Sequence, residues 1–307
     1  MQFRKLGQSD LNCSVVGLGT WGIGGGFFGT VDDKDSIAAL RAGVEAGINL
    51  IDTAPVYGDG HSEEVVGKAI DGLKREELII ATKCGRFTCE TEKIRKELER
   101  SLTLLGTDYT DLYQVHWPDD KVPFEQTFGE LAKMQKEGKI RYIGVSNFSP
   151  AQTEEAAQYC QIVSTQPQYS LLIRQIEEDL LPYCREKEIG VLSYGSIAGG
   201  ALSGKYKDRP VLAENDERAS FYEFFREENW AYTRAMLDVL EEIAQAHGRP
   251  TVQAAINWVL KQPGITVALV GAKTPEQAVM NVQAADWALT DEENAKIEAA
   301  YQKIFAK

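Results

Sequence analysis

VVGLGTWGIGGGFFGTVDD, residues 15–33, decides between two folds. Its first five residues form an apolar run that reads as a strand, and Gly17-x-Gly19-x-x-Gly22 matches the spacing of a dinucleotide-binding fingerprint on an open, doubly wound sheet. In that fingerprint a helix opens at the glycines, so that its N-terminus meets a pyrophosphate. Here the chain continues as a glycine-rich loop, and a helical pattern begins only near Asp33–Ser36. The stretch therefore reads as a strand followed by a long loop, which suits the mouth of a barrel.

Outward from it, seven more short apolar runs recur, each followed by a helical pattern: NLID at 49–52, LIIATK at 78–83, DLYQVH at 111–116, IRYIGVS at 140–146, IVSTQ at 162–166, GVLSY at 190–194 and ITVALVG at 265–271. Near-continuous apolar character suits parallel strands covered by helices. From the second run to the seventh the starts lie 22 to 33 residues apart, room for one crossover helix each. The last interval is longer and holds the charged stretch 205–230, read as a long loop, then helical patterns at about 231–247 and near 251–261.

Helix boundaries carry their own signals. Ile94, Leu98, Leu102 and Leu105 follow helical spacing, with Gly106 at the C-terminal cap. Ser149-Pro150-Ala151-Gln152 and Thr274-Pro275-Glu276-Gln277 each offer a capping residue, a first-position Pro and a third-position Gln. Thr290-x-x-Glu293 opens a terminal packing helix within 286–307. Eight strand–helix units with no linker-like break predict one (β/α)8 (TIM) barrel domain over 1–307, with additional helices and long loops at its C-terminal face.

The net charge of −13 argues against nucleic acid as the main partner. No apolar run approaches the roughly 18 residues of a membrane helix, and MQFRKLGQSD lacks the apolar core of a signal peptide, so a cytoplasmic protein without membrane partners is expected. Five scattered cysteines without a C-x-x-C read as reduced thiols. Three histidines without H-x-x-x-H argue against a metal site, and His61 and His247 read as solvated, with no partner cluster.

An α/β barrel carries its active site at the C-terminal ends of its strands. Here those ends are polar: Asp52, then Tyr57 in the loop beyond it, Lys83, His116, Ser146 with Asn147, Gln166 and Tyr194. Buried lysine or aspartate without a partner is costly, so packing alone does not explain the series. Taken together, Lys83 is a cation that favours the phenolate of Tyr57, Asp52 holds the ammonium, and His116 fixes a carbonyl oxygen. The set suits reversible protonation of a carbonyl oxygen. It contains no nucleophile, metal or electron source, so a hydride must come from elsewhere. Trp21 and Trp117 read as walls of a substrate pocket.

VGLGTWGIGG, NLIDTAPVYG followed by SEEVVGKAI, IIATK, DLYQVHWPD, GVSNFS, LSYGSIAGGALSGKY and VGAKTPEQAVMN resemble, in order and across almost the whole chain, the aldo-keto reductases. The nearest branch is that of bacterial general oxidoreductases akin to potassium-channel β subunits. The resemblance implies a metal-free, NADP(H)-dependent oxidoreductase that interconverts small carbonyl and alcohol substrates. Asp52, Tyr57, Lys83 and His116 would be its tetrad, with Tyr57 as acid in reduction and base in oxidation. It further implies that Ser146, Asn147 and Gln166 bind the nicotinamide carboxamide while Tyr194 stacks on the ring. Trp21, Gly195, Ser196, Leu202, Gly204 and Lys205 would border the cofactor, the last four along its pyrophosphate. Gly271, Lys273, Gln277 and Asn281 would surround the adenosine 2′-phosphate and adenine.

Many members carry a Lys-Ser pair and a downstream Arg in that last motif, where this chain has Gly271-Ala272 and Gln277. Lys273 is the cation left there to favour NADP(H) over NAD(H). The same pocket would also serve a regulatory protein that senses nicotinamide redox state, and the sequence leaves both that alternative and the oligomeric state open. Cys84 beside Lys83, with Cys89 nearby, raises the option of a redox switch. Phe27, Phe28, Phe221, Tyr222, Phe224 and Phe225 either close over an apolar substrate or pack the loops.

Overall fold

The computed structural model describes residues 1–25, 29, 31–85, 89–213, 216 and 218–305. Phe27 and Phe28 lie outside them. Among the described residues ten strands form: β1 (Phe3–Lys5), β2 (Asn12–Ser14), β3 (Val16–Gly19), β4 (Leu50–Asp52), β5 (Ile79–Cys84), β6 (Thr110–Val115), β7 (Ile140–Ser146), β8 (Ile162–Gln166), β9 (Gly190–Ser193) and β10 (Ile265–Val270). The last eight close into a parallel barrel in the order β10-β3-β4-β5-β6-β7-β8-β9, and helices cover its outside. The open-sheet alternative is thereby excluded. Gly17 faces the barrel interior, where an added Cβ would sit 2.8 Å from Leu269 Cδ2 and 2.9 Å from Leu50 Cδ2. It is a packing glycine. The helix after this strand begins at Asp33, capped by Asp32, whose carboxylate accepts from the Lys34 and Asp35 amides.

One strand pair was not expected. β1 and β2 form an antiparallel hairpin whose Leu6, Leu11 and Cys13 are buried with Leu50, Ala81, Leu112, Val163, Leu192 and Val267. The hairpin thus plugs the barrel floor. At its turn Gly7 has φ +53°, and a Cβ there would lie 2.2 Å from the Val163 carbonyl oxygen. Only glycine allows that approach.

The capping box at Ser149 forms reciprocally with Gln152, and so does that of Thr290 with Glu293. At Thr274 the cap accepts from the Gln277 amide, but the Gln277 side chain bonds the Lys273 amide instead. The terminal helix, Asp291–Phe305, is tied to the barrel layer by Glu298, which accepts from Trp258 and Arg174.

Three expectations need correction. The stretch 205–230 is not all loop: it holds a short helix at Arg218–Phe221, a 3₁₀ turn at Glu223–Phe225 and the start of the helix Glu227–Ala246. His61 and His247 have partners, since His61 Nε2 lies 2.8 Å from Asp33 and His247 Nε2 lies 2.6 Å from Glu293. Cys84 and Cys89 are both buried, and burial pushes the Cys84 thiol far up and the Cys89 thiol to about 12. Thiols held neutral by burial oppose the redox reading. Among the described residues no helix is long and apolar enough to cross a membrane, and no cluster of His, Cys, Asp and Glu forms a metal site.

Candidate functional site

Side chains alternate along a strand, so Asp52, Lys83 and Gln114 are the next inward-facing positions above the apolar Leu50, Ala81 and Leu112. Lys83 is fully buried. Its ammonium has three donors, and each is matched: Asp52 Oδ2 at 2.7 Å, the Thr53 carbonyl at 2.8 Å and the Tyr57 hydroxyl at 3.4 Å. The other Asp52 oxygen accepts from Gln166 Nε2 at 2.7 Å and Gln114 Nε2 at 3.2 Å. Burial pulls the Lys83 pKa down, while the charge of Asp52 and its hydrogen bond push it back; the net shift is downward. A cation short of proton affinity, aimed at a phenol, is the arrangement that makes tyrosine proton transfer easier.

Tyr57 is held from below. Its carbonyl accepts from the Ser62 amide at 3.1 Å, and its segment crosses the glycine loop at close range. A Cβ on Gly58 would sit 2.1 Å from the Gly24 carbonyl oxygen, and one on Gly24 would sit 2.5 Å from the Tyr57 carbonyl carbon. Gly24, in the loop of the 15–33 stretch, thus serves to seat Tyr57. The His116 ring stands edge-on to Tyr57 at 6.0 Å between centroids, and Trp21 stacks against Tyr57 at 6.2 Å.

Ser146, Asn147, Gln166 and Tyr194 come together on the adjoining rim with Tyr57, His116, Trp21, Trp117 and Phe221 around a cavity of about 80 Å³. Asn147 adopts φ +60°, which turns its amide across the strand ends. Its Nδ2 donates to the His116 carbonyl and to Ser146 Oγ, and its Oδ1 accepts from the Tyr194 hydroxyl, each at 3.0 Å. Phe221 meets Trp21 edge-on at 5.0 Å, whereas Phe224 and Phe225 are buried in the core and Tyr222, also buried, borders the adjoining groove. Phe221→Ala is expected to widen the mouth and shift kcat/KM toward bulky over short aldehydes by about tenfold, as steady-state kinetics on a size series would record.

Next to this cavity runs a groove of about 690 Å³, within the ordinary range for a cofactor site. Trp21, Tyr194, Gly195, Ser196, Gly204, Lys205, Gly271, Lys273, Gln277 and Asn281 line it, as do Asp52 and Tyr57. Leu202 does not: it is fully buried in the core beneath. Asn281 donates to the Gly271 carbonyl and Gln277 is engaged with the Lys273 amide, so both brace the last loop. Lys205, Arg218 and Lys273 bring three cations to the groove of a chain whose net charge is −13. Burial and the charges of Arg218 and Lys205 pull the Lys273 pKa down, against Asp216. An anion in the groove would relieve that repulsion.

Sequence reasoning missed Gln114 and Arg218. The first was within reach, because Gln114 stands two residues before His116 and so faces the same way. Arg218 had no such signal. Its guanidinium reaches Gly199 and pairs with Asp216 through the folding of a stretch read as loop.

The profile of the aldo/keto reductase family matches residues 15–302. The NADH-specific methylglyoxal reductase of Escherichia coli is 35% identical over 93% of this chain and 94% of its own length. Among solved structures, the glycerol dehydrogenase of Gluconobacter oxydans superimposes with a TM-score of 0.91 at 36% identity, covering 100% of this chain and 97% of that one. An aldo/keto reductase from Klebsiella pneumoniae, solved with NADP and acetate, gives 0.80 at 30% identity over 98% and 96%.

Proposed function

Since the chain belongs to the aldo/keto reductase family, whose profile spans nearly all of it, we propose that it is an NADP(H)-dependent carbonyl reductase with Tyr57 as proton donor. The observation that carries this reading is the full set of partners around Lys83, with the phenol as the third. When bound in the adjacent groove, the reduced nicotinamide supplies the hydride. Tyr57 holds the proton at its hydroxyl, and the Lys83 ammonium favours the phenolate left behind when that proton passes to the substrate oxygen. Asp52 keeps the ammonium charged inside the barrel. His116, which lines the 80 Å³ cavity with Tyr57, orients the carbonyl beside that phenol. In alcohol oxidation Tyr57 takes the proton back. Ser146, Asn147 and Gln166 would bind the carboxamide, and Tyr194 would stack on the ring.

Preference for the phosphorylated cofactor rests on Lys273, with Lys205 and Arg218 as further cations of the groove. Arg218 adds a guanidinium where the Gly271–Gln277 motif has none, held in place by Asp216 and the Gly199 carbonyl. The Klebsiella structure with NADP supports this preference, and the NADH-specific Escherichia coli relative argues against it. The test is a paired titration followed by protein fluorescence, with Trp21 at the groove as reporter. Wild-type protein is expected to bind NADPH more tightly than NADH, and Lys273→Ala to weaken NADPH by about tenfold with little change for NADH. Equal affinities, or an unaffected NADPH in the variant, would overturn the preference.

A further inference from the structure

Below the tetrad lies a chain of three buried hydroxyls that no part of the proposed reaction uses. Thr20, Thr53 and Ser62 are each fully buried. Thr53 Oγ1 lies 3.0 Å from Ser62 Oγ, Ser62 Oγ donates to Thr20 Oγ1 at 2.7 Å, and Thr20 Oγ1 donates to the Asp52 carbonyl at 3.0 Å. Each hydroxyl has one proton to give. With Ser62 giving its proton to Thr20, and Thr20 its own to Asp52, Thr53 is the donor to Ser62, and the chain runs in one direction with no hydroxyl left over.

What the chain touches is the backbone of the candidate tetrad. Its far end is the carbonyl of Asp52. Its near end is Thr53, whose own carbonyl takes one of the three Lys83 donors. Its middle member, Ser62, also gives its amide to the carbonyl of Tyr57. On the next residue of the same helix, Glu63 Oε1 accepts from Thr82 Oγ1 at 2.6 Å, one position before Lys83. The start of the helix His61–Ile70 is thereby bonded to the segments bearing Asp52, Tyr57 and Lys83, which come from different parts of the barrel.

We propose that Ser62 is a positioning residue: through the hydroxyls of Thr53 and Thr20 and the carbonyl of Tyr57 it sets the distance between the Tyr57 phenol and the Lys83 ammonium. The inference rests on the proposed tyrosine mechanism. Removing the hydroxyl leaves Thr53 Oγ1 without its Ser62 acceptor and Thr20 Oγ1 without its Ser62 donor, and the Tyr57 loop then settles against different restraints. Proton transfer depends steeply on that geometry, whereas neither Ser62 nor Thr53 lines the cofactor groove.

The experiment compares Ser62→Ala, Thr53→Val and the double variant, with turnover expressed per cofactor site counted by fluorescence titration. Expected is wild-type cofactor affinity and stoichiometry, an unchanged KM for the carbonyl, and a kcat per site lower by about tenfold or more in each single variant. The double variant should be no slower than the worse single one, because both cut the same chain. Thr53→Val keeps the test decisive should Ser62→Ala fold poorly. A wild-type kcat per site in either variant, or a loss of turnover that tracks a loss of cofactor binding, would overturn the proposal. If Tyr57→Phe is inactive while Ser62→Ala is normal, only the positioning role falls; if Tyr57→Phe is fully active, the mechanism beneath it falls.

Discussion

Replacing Tyr57 by phenylalanine is expected to lower kcat for carbonyl reduction by about 10²–10⁴-fold, the usual contribution of a positioned general acid, while cofactor affinity stays at the wild-type value. The change removes one oxygen and leaves the ring, so the stacking on Trp21 and the edge contact with His116 persist. The crossing of Gly24 and Gly58 that seats the loop persists as well. What is lost is the phenol hydroxyl, 3.4 Å from the Lys83 ammonium. Stopped-flow or steady-state rates beside a fluorescence titration separate the two quantities. A variant that binds cofactor and turns over at the wild-type rate would remove Tyr57 from the chemistry.

The largest expected effect on stability belongs to Lys83. Lys83→Met fills a similar volume but leaves Asp52, 3% exposed, without its counter-ion in the barrel. Breaking a buried pair from one side typically costs about 3–5 kcal/mol, readable as a lower midpoint in urea. Activity should be lost together with stability. In the double variant Asp52→Asn with Lys83→Met, the uncompensated charge is gone and the carboxamide oxygen still accepts from Gln114 and Gln166. Most of the stability should then return while activity does not. Recovery of both, or of neither, would contradict the view that the pair exists for the site rather than for the fold.

The barrel was legible because six of its eight strands declare themselves twice, first as a short apolar run and then as a polar residue where the run meets the mouth. Asp52, Lys83, His116 and Gln166 are all of this kind, and the structure brings their segments to one rim. The floor was not legible. β1 and β2 are three residues each, too short for periodicity, and they are held by what Leu6, Leu11 and Cys13 meet inside the barrel. The partners of His61 and His247 lie 28 and 46 residues away, on other elements, so nothing local announced them. Arg218 is the instructive miss. Its surroundings are charged and read as a long loop, yet a short helix turns it onto the groove, where it stands with Lys205 and Lys273. Leu202 is the converse: a motif position that the fold sends into the core.

The proposed reaction moves a hydride and a proton between a nicotinamide and a carbonyl. It is tested most directly by following NADPH absorbance when wild-type protein meets a panel of short aldehydes, hydroxy-ketones and aromatic aldehydes, with NADH in parallel. The expected result is consumption of NADPH in step with alcohol formation for at least one carbonyl, and none in Tyr57→Phe. Binding of NADPH without consumption across the panel would contradict it.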